Sequence, residues 1–351
     1  MFGRRRTLAV ACVLVLVPLG VWGARYFQAR TIPPGATRTS SMQASATPTP
    51  TASPAAQSQT LSPSAVAATP PQIQSAAPSS RTQATGSVLW GLWEPHWQTG
   101  STADFTVYTR VEAVLGRRVD LVHWYANWDE SWDYDGGLVS QVIRTQRTPM
   151  ITWEALNRPL AAIASGQFDG YIDSWAKGIA AYSTHPILLR IFHEFNDPQA
   201  GDSGYPWGVG GGNGNRPADL VAAWRHIHNR FAAAGANNVR FVWCPDGVNL
   251  DLQRLQASYP GDAYVDFAGW DAYGYDTATD YQTVSRVTQK PIVLAEIGST
   301  DAAWIADLTS KLRFGTYARI RALVWFDEGS WRLDANPALR PAVTAMVSAI
   351  R

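Results

Sequence analysis

From Ser87 onward, short apolar segments rich in β-branched residues alternate with segments whose apolar residues recur at helical spacing. Strands are predicted at Ser87–Trp93, Val119–Tyr125, Pro149–Trp153, Pro186–His193, Val239–Cys244, Val265–Trp270, Pro291–Ile297 and Ile320–Trp325. Helices are predicted at Phe168–Tyr182, Ala218–Ala234, Ala303–Phe314 and Pro337–Ile350. Eight strands alternating with helices predict an α/β fold, the (β/α)8 TIM barrel. The alternative, an open doubly wound sheet, predicts a glycine-rich nucleotide turn that is missing after the first strand.

The pattern before Ser87 differs, and it predicts two further regions. Three arginines, Arg4 to Arg6, precede an apolar run from Leu8 to Trp22, so residues 1–30 are predicted to be a signal peptide or a transmembrane anchor. Residues 31–86 are dominated by Ser, Thr, Pro, Ala and Gln and contain no acidic or aromatic residue. Such a composition predicts a disordered linker. The predicted catalytic domain is then 87–351.

Charge and cysteine content exclude several classes of function. Seven of the 29 Lys and Arg precede residue 87 and all 28 Asp and Glu follow it, so the domain carries a formal charge of −6. An acidic domain is a poor match for nucleic acid, and a neutral partner is expected. No His/Cys cluster has metal-ligand spacing, and we expect no metal and no cofactor. Fifteen of the 16 tryptophans lie in the domain, which suits a site that stacks on sugar rings.

Two glutamates at the ends of apolar strands are the strongest indication of chemistry. Glu194 closes the fourth predicted strand and Glu296 the seventh. Burying a carboxylate is costly without partners, and catalytic groups of a barrel cluster at the carboxyl ends of its strands. Two such groups predict an acid/base and a nucleophile for cleavage of a glycosidic bond. The alternative is that each forms an ion pair at the strand edge.

Seven sequence landmarks run through most of 87–351. They are Arg190–Asn196, Tyr205–Gly208, Trp224-Arg225, Asn238–Pro245, Tyr259–Asp266, Gly269–Tyr273 and Pro291–Glu296. With these landmarks in this order, the domain resembles glycoside hydrolase family 26, a family of retaining barrels with glutamates on strands four and seven. One departure, Asp197 in place of the usual glycine, lies near the expected sugar site.

The resemblance implies a role for each matching residue. Glu194 would be the general acid and then the base, and Glu296 the nucleophile of a covalent glycosyl-enzyme. The implied substrate-binding and supporting residues are His193, Tyr273, Trp325, Trp207, Asn196 and Arg190. Strand-end position adds further candidates for the cleft: Trp153 with Glu154, Trp93 with Glu94, and His123, Trp124 and Tyr125.

The resemblance also implies the substrate. We expect a retaining endo-β-glycanase that hydrolyses β-1,4-mannan-type polysaccharide. Alternatives are a β-1,3-1,4-glucanase, another β-glucan or exopolysaccharide hydrolase, and a non-catalytic carbohydrate-binding barrel. Because of the N-terminal pattern we expect export to the cell surface or beyond, with the membrane as a tether if the segment is retained. We expect a monomer.

Overall fold

The computed structural model describes residues 87–197, 205–209 and 213–350. The predicted N-terminal segment 1–30 and linker 31–86 lie outside the described residues. The described part contains a closed barrel of eight parallel strands, and its strands follow one another around the barrel in chain order. The predicted (β/α)8 fold is therefore confirmed.

Each predicted barrel strand is present, with its ends displaced by a few residues. The barrel strands are β1 Leu89–Trp93, β4 Leu121–Asn127, β5 Thr148–Glu154, β6 Ile187–Ile191, β7 Val239–Trp243, β8 Phe267–Ala272, β9 Ile292–Ile297 and β10 Ile320–Phe326. A small antiparallel hairpin, β2 Gln98–Thr99 with β3 Thr102–Ala103, lies outside the barrel. We refer to β6 and β9 also as the fourth and seventh barrel strands.

Helices connect the barrel strands. They are α1 Thr106–Leu115, α2 Trp132–Arg144, α3 Leu160–Ala164, α4 Asp169–Ala180, α5 Pro217–Ala233, α6 Leu252–Ala257, α7 Thr277–Val287, α8 Ala302–Arg313 and α9 Arg340–Ala349. The predictions of α4, α5, α8 and α9 are confirmed. Helix α5 begins with a proline at its first position and an Asp219 carboxylate that accepts from the Arg216 amide. Among the described residues no helix combines the length and the apolar character needed to cross a membrane.

The core has two parts, which the alternation of side chains along each strand separates. A small inner cluster fills the barrel and includes Leu121, Met150, Leu188, Val242 and Val293. A much larger outer cluster lies between the barrel and the helices and contains most of the buried tryptophans. The inner cluster closes the barrel below its carboxyl-end mouth, where the polar residues described next are found.

Candidate active site

The chain adopts an unusual backbone conformation where the fourth strand ends. Phe192 has a φ of 49° and Glu194 a φ of 51°, in the left-handed region that residues other than glycine rarely adopt. The Glu194 amide donates to the Cys244 carbonyl of the next strand at 2.9 Å, which fixes this turn. Backbone strain of this kind costs on the order of 1–3 kcal/mol per residue and clusters at functional sites.

The Glu296 side chain reaches the barrel interior through a local irregularity of β9. Trp270 pairs with Leu294 and the next residue, Asp271, pairs with Glu296, so Ala295 is an extra residue in β9. Both Ala295 and Glu296 therefore face inward, although successive residues of a regular strand face opposite sides. The bulge directs the glutamate into the mouth.

Three donors hold the Glu296 carboxylate. The Tyr125 hydroxyl and the Arg190 guanidinium both donate to Oε1, and the Tyr273 hydroxyl donates to Oε2. Glu296 itself is 2% exposed. With both oxygens bound, the carboxylate has a fixed orientation and its negative charge is stabilised by hydrogen bonds from three sides.

Arg190 is held in turn by groups on two other strands. Its Nη1 donates to both carboxylate oxygens of Asp271, at 2.8 and 2.9 Å, and its Nε donates to Thr152 Oγ1 at 2.7 Å. Burial lowers the pKa of Arg190, but the carboxylates of Asp271 and Glu296 outweigh burial and raise that pKa. Arg190 thus stays charged in the barrel centre and links Asp271 to Glu296.

His123 also belongs to the hydrogen-bond network around Arg190, and its imidazole ring is neutral. Its Nε2 lies 2.7 Å from Thr152 Oγ1, whose oxygen already accepts from Arg190 Nε. The threonine hydroxyl thus links the Arg190 guanidinium to the His123 ring. Burial, together with the nearby Arg190 charge, lowers the pKa of His123 well below its ordinary value. The network therefore gains no second positive charge.

His193, directly before Glu194, packs in an aromatic stack. Its ring centroid lies 4.3 Å from that of Tyr205, and Tyr205 stacks on Trp207 at 4.8 Å. The Trp207 indole donates to the His193 carbonyl at 2.7 Å and is 1% exposed. Trp207 thus shapes the site from behind, by holding His193 and Tyr205.

Asn196 joins two loops at the mouth. Its side-chain amide donates to the Asp246 carbonyl at 2.9 Å and accepts from the Asp246 amide at 2.7 Å. This two-bond pairing fixes the chain after the fourth strand to the chain after β7. Asn196 therefore supports Glu194, one of the two predicted catalytic carboxylates, through the loop that carries it.

Glu154, at the end of β5, adds a third carboxyl to the mouth. Its side chain is 17% exposed, and Oε1 lies 4.0 Å from His193 Nε2. Burial raises its pKa to about 7, with Arg190 opposing and Glu296 and Glu130 adding to the rise. The charges of Glu194, Glu154 and Glu296 all act on the Tyr205 phenol, because after burial they are the largest causes that raise its pKa.

Aromatic side chains form one wall of the mouth. Trp93 stacks on Phe326 with ring centroids 3.9 Å apart, and Trp331 stacks on Tyr273 at 5.0 Å and 14°. Trp93 and Trp331 are both partly exposed. Trp331 lies in the 3-10 turn Gly329–Trp331 beyond β10, against the tyrosine that binds Glu296. It was not among the residues predicted from the sequence.

Three predicted substrate contacts are corrected by the structure. Trp124, Trp153 and Trp325 are at most 1% exposed and belong to the outer cluster. The Trp124 indole donates to Asp135 and the Trp325 indole to the Trp331 carbonyl, both at 2.9 Å. The reason is strand alternation, because the adjacent residues on each strand, such as Tyr125 beside Trp124, face the mouth instead.

The comparisons with known proteins agree with this geometry. The model of Glycosyl hydrolase family 26 matches residues 128–334, more than half of the 351-residue chain. Endoglucanase H of Acetivibrio thermocellus is 31% identical over 294 residues, 76% of this chain and 31% of its own length. Mannan endo-1,4-beta-mannosidase of Bacillus subtilis is 28% identical over 172 residues, 45% of this chain and 43% of its own length.

Solved structures show the same fold. The Bacillus subtilis mannanase BCman superposes with a TM-score of 0.56 at 18% identity, covering 76% of this chain and 85% of that one. The shared fold does not by itself identify a family, so the assignment depends on the sequence matches. The chain belongs to glycosyl hydrolase family 26. It spans less than half the length of the two curated relatives named above.

Proposed function

We propose that the protein is an endo-acting β-glycanase that cleaves β-1,4-mannan-type polysaccharide with net retention of anomeric configuration. The observation that carries this proposal is the Glu296 carboxylate, which accepts hydrogen bonds from Tyr125, Arg190 and Tyr273. A carboxylate that is held in a fixed orientation is suited to attack a sugar carbon. Glu194, at the end of the facing fourth strand, supplies the proton that the leaving group needs.

In the first step a Glu296 oxygen attacks the anomeric carbon of the bound sugar. The glycosidic carbon–oxygen bond breaks, and the Glu194 carboxylic acid gives its proton to the departing oxygen. The product is a glycosyl ester on Glu296 and a Glu194 carboxylate. Tyr125 and Tyr273 hold Glu296 in place while its negative charge is lost to the new bond.

In the second step water attacks the same anomeric carbon from the side that the leaving group vacated. Glu194, now a carboxylate, takes the proton of that water, and the bond between the sugar and Glu296 breaks. Two inversions give net retention. Arg190 and the two tyrosines again stabilise the released carboxylate, which makes Glu296 a good leaving group.

Similarity supports mannan as the substrate class. The Bacillus subtilis relative and the superposed structure are both named for mannan cleavage. A β-glucan is the second candidate, because Endoglucanase H is more identical and covers more of this chain. Mannose and glucose differ in the C2 hydroxyl, which lies next to the carbon that Glu296 attacks, so either sugar fits the same two-step chemistry.

A polysaccharide panel tests the proposal. Full-length protein is incubated with galactomannan, glucomannan, mixed-linkage β-glucan, β-1,3-xylan and carboxymethyl cellulose, and new reducing ends are counted. We expect cleavage of the mannans and its loss in Glu296→Ala. Cleavage of mixed-linkage glucan without the mannans would move the substrate to the second candidate. Binding without cleavage by folded protein would contradict the enzymatic proposal.

A further inference from the structure

The carboxyl of Glu154 accepts no hydrogen bond in the part of the chain that the structure describes. It faces the barrel mouth from the end of β5, on the same strand face as Thr152, and receives no hydrogen bond from the described residues. His193 Nε2 lies 4.0 Å from its Oε1, which is beyond hydrogen-bond distance. A largely buried carboxyl that accepts no hydrogen bond is costly, so it needs an explanation.

The His193 side chain also makes no hydrogen bond with the described residues. The residue is 1% exposed, and neither Nδ1 nor Nε2 has a hydrogen-bond partner among the described residues. Burial lowers the pKa of His193 well below its ordinary value, and Arg190 and His123 lower it further. The ring is therefore neutral, with one nitrogen to donate and one to accept. Two adjacent side chains thus each offer unused hydrogen-bonding capacity to the same space.

The distance between the two groups matches a bound hydroxyl. An oxygen placed about 2.8 Å from each of two atoms 4.0 Å apart would see them at an angle of roughly 90°, which suits a hydroxyl that donates to one and accepts from the other. A sugar carries such hydroxyls on every ring. The place lies in the reacting region, because His193 directly precedes Glu194 in the chain and packs against Tyr205.

We propose that Glu154 is a substrate-binding residue that, together with His193, hydrogen-bonds one hydroxyl of the sugar unit whose glycosidic bond is cleaved. The inference rests on the proposed function and deepens it, because it assigns recognition of the reacting sugar to a third carboxyl. Glu154 acts through contact with substrate and not through the fold, since no described residue makes a hydrogen bond to its side chain.

Two substitutions separate substrate binding from a structural role. Glu154→Ala removes the contact, and we expect kcat/KM to fall about 10- to 100-fold, the effect of one lost hydrogen bond that leaves its partner unpaired. The melting temperature should stay the same or rise, because an unpartnered buried carboxyl is removed. Glu154→Gln keeps a donor and an acceptor at nearly the same volume and should retain kcat/KM within about fivefold.

Asp135→Asn is the matched control. Asp135 is also a buried carboxyl with its pKa raised to about 7 by burial, but it lies in the outer layer, bonded to Trp124. Its substitution should leave kcat/KM unchanged. An unchanged kcat/KM in Glu154→Ala would overturn the proposal, and so would a loss of activity that comes with a clearly lower melting temperature.

The two proposals fail in distinguishable ways. If the wild type cleaves no glycan, the proposed function fails, and calorimetric binding of mannohexaose then decides the role of Glu154. In that case a Kd weakened about tenfold or more in Glu154→Ala would support the contact. An equal Kd in the two proteins would overturn it.

Discussion

The mouth of the barrel and the layer between barrel and helices are built from the same strands but have opposite character. On β4, Tyr125 binds Glu296 in the mouth, whereas Trp124 fills the outer layer. On β5, Glu154 faces the mouth, whereas Trp153 stacks on Tyr171 outside the barrel. Neighbouring residues of one strand therefore face opposite sides, one toward the mouth and the other into the outer core.

The comparison also explains the tryptophan content. Most of the largest fully buried side chains are tryptophans of the core, and they include Trp90, Trp175, Trp224, Trp243 and Trp270. The partly exposed Trp93 and Trp331 line the mouth instead. A high tryptophan count is therefore mainly a property of the outer core here, and the sugar site uses a minority of these residues.

Removal of Glu296, the proposed nucleophile, should have the largest effect on activity. Glu296→Ala should lower kcat roughly 10⁴-fold or more. The free energy of unfolding should fall by less than it does in Arg190→Met, because Arg190 keeps its pair with Asp271. Kinetics on the preferred glycan, with and without azide, measure this, and azide should restore turnover by taking the place of the missing carboxylate. Glu112→Ala, outside the mouth in α1, should keep wild-type kcat. A loss of less than about 100-fold in Glu296→Ala would contradict the assignment.

Removal of the central cation should affect both folding and activity. Arg190→Met leaves Asp271 buried without its partner, and breaking such a pair costs about 3–5 kcal/mol of unfolding free energy. Urea denaturation measures this. The double variant Arg190→Met with Asp271→Asn should recover a large part of the stability and none of the activity. Equal stability of the single variant and the wild type would contradict the described network.

Two tryptophans six residues apart should respond oppositely. Trp325→Ala opens a cavity in the outer layer and should cost about 3–5 kcal/mol of unfolding free energy. Trp331→Ala removes a stacking surface in the mouth, so kcat/KM should fall about tenfold while stability changes by roughly 1 kcal/mol or less. Thermal melts and kinetics of both variants provide the measurement. The reverse pattern would show that Trp325 is the sugar platform.

The smallest effect on activity is expected for Asp135 in the outer layer, whose substitution should change stability with pH instead. Burial raises the pKa of Asp135 to about 7 in the folded protein, well above its value in an unfolded chain. At low pH Asp135 is protonated in both the folded and the unfolded chain and costs no stability. As pH rises from about 4 to about 7, its ionisation is opposed by burial, and the free energy of unfolding falls. Asp135→Asn should gain stability relative to the wild type across this window, by roughly 4 kcal/mol for a pKa that is about three units higher, and the gain should level off above it. A pH-independent difference in unfolding free energy would contradict the assigned shift.

Much of the fold follows from local pattern. Strands such as β6 and β9 are predictable because each is an apolar run that contains β-branched residues and is buried on both faces. Helix α7 was not predicted, because its sequence Thr277–Val287 is mostly polar and buries few residues. Helix α2 was missed as well, since Gly136 and Gly137 interrupt its pattern. Both helices form because the barrel offers a surface for them to cover.

The site is predictable in part. Glu194 and Glu296 stand out as carboxylates at the ends of apolar strands. Asp271 gives a similar signal, a charge inside an apolar strand, and its need for a cation could have indicated Arg190. The β9 bulge and the turn that presents Trp331 have no such local signal, because they depend on how neighbouring strands pair.

The most direct test of the central claim is to trap the glycosyl-enzyme. The protein is treated with a dinitrophenyl 2-deoxy-2-fluoro-β-glycoside of its preferred sugar, digested and analysed by mass spectrometry. We predict one added glycosyl group on the peptide that contains Glu296, and none in Glu296→Ala. A glycosyl group on Glu154 or Glu194, or hydrolysis with inversion and no adduct, would contradict the account.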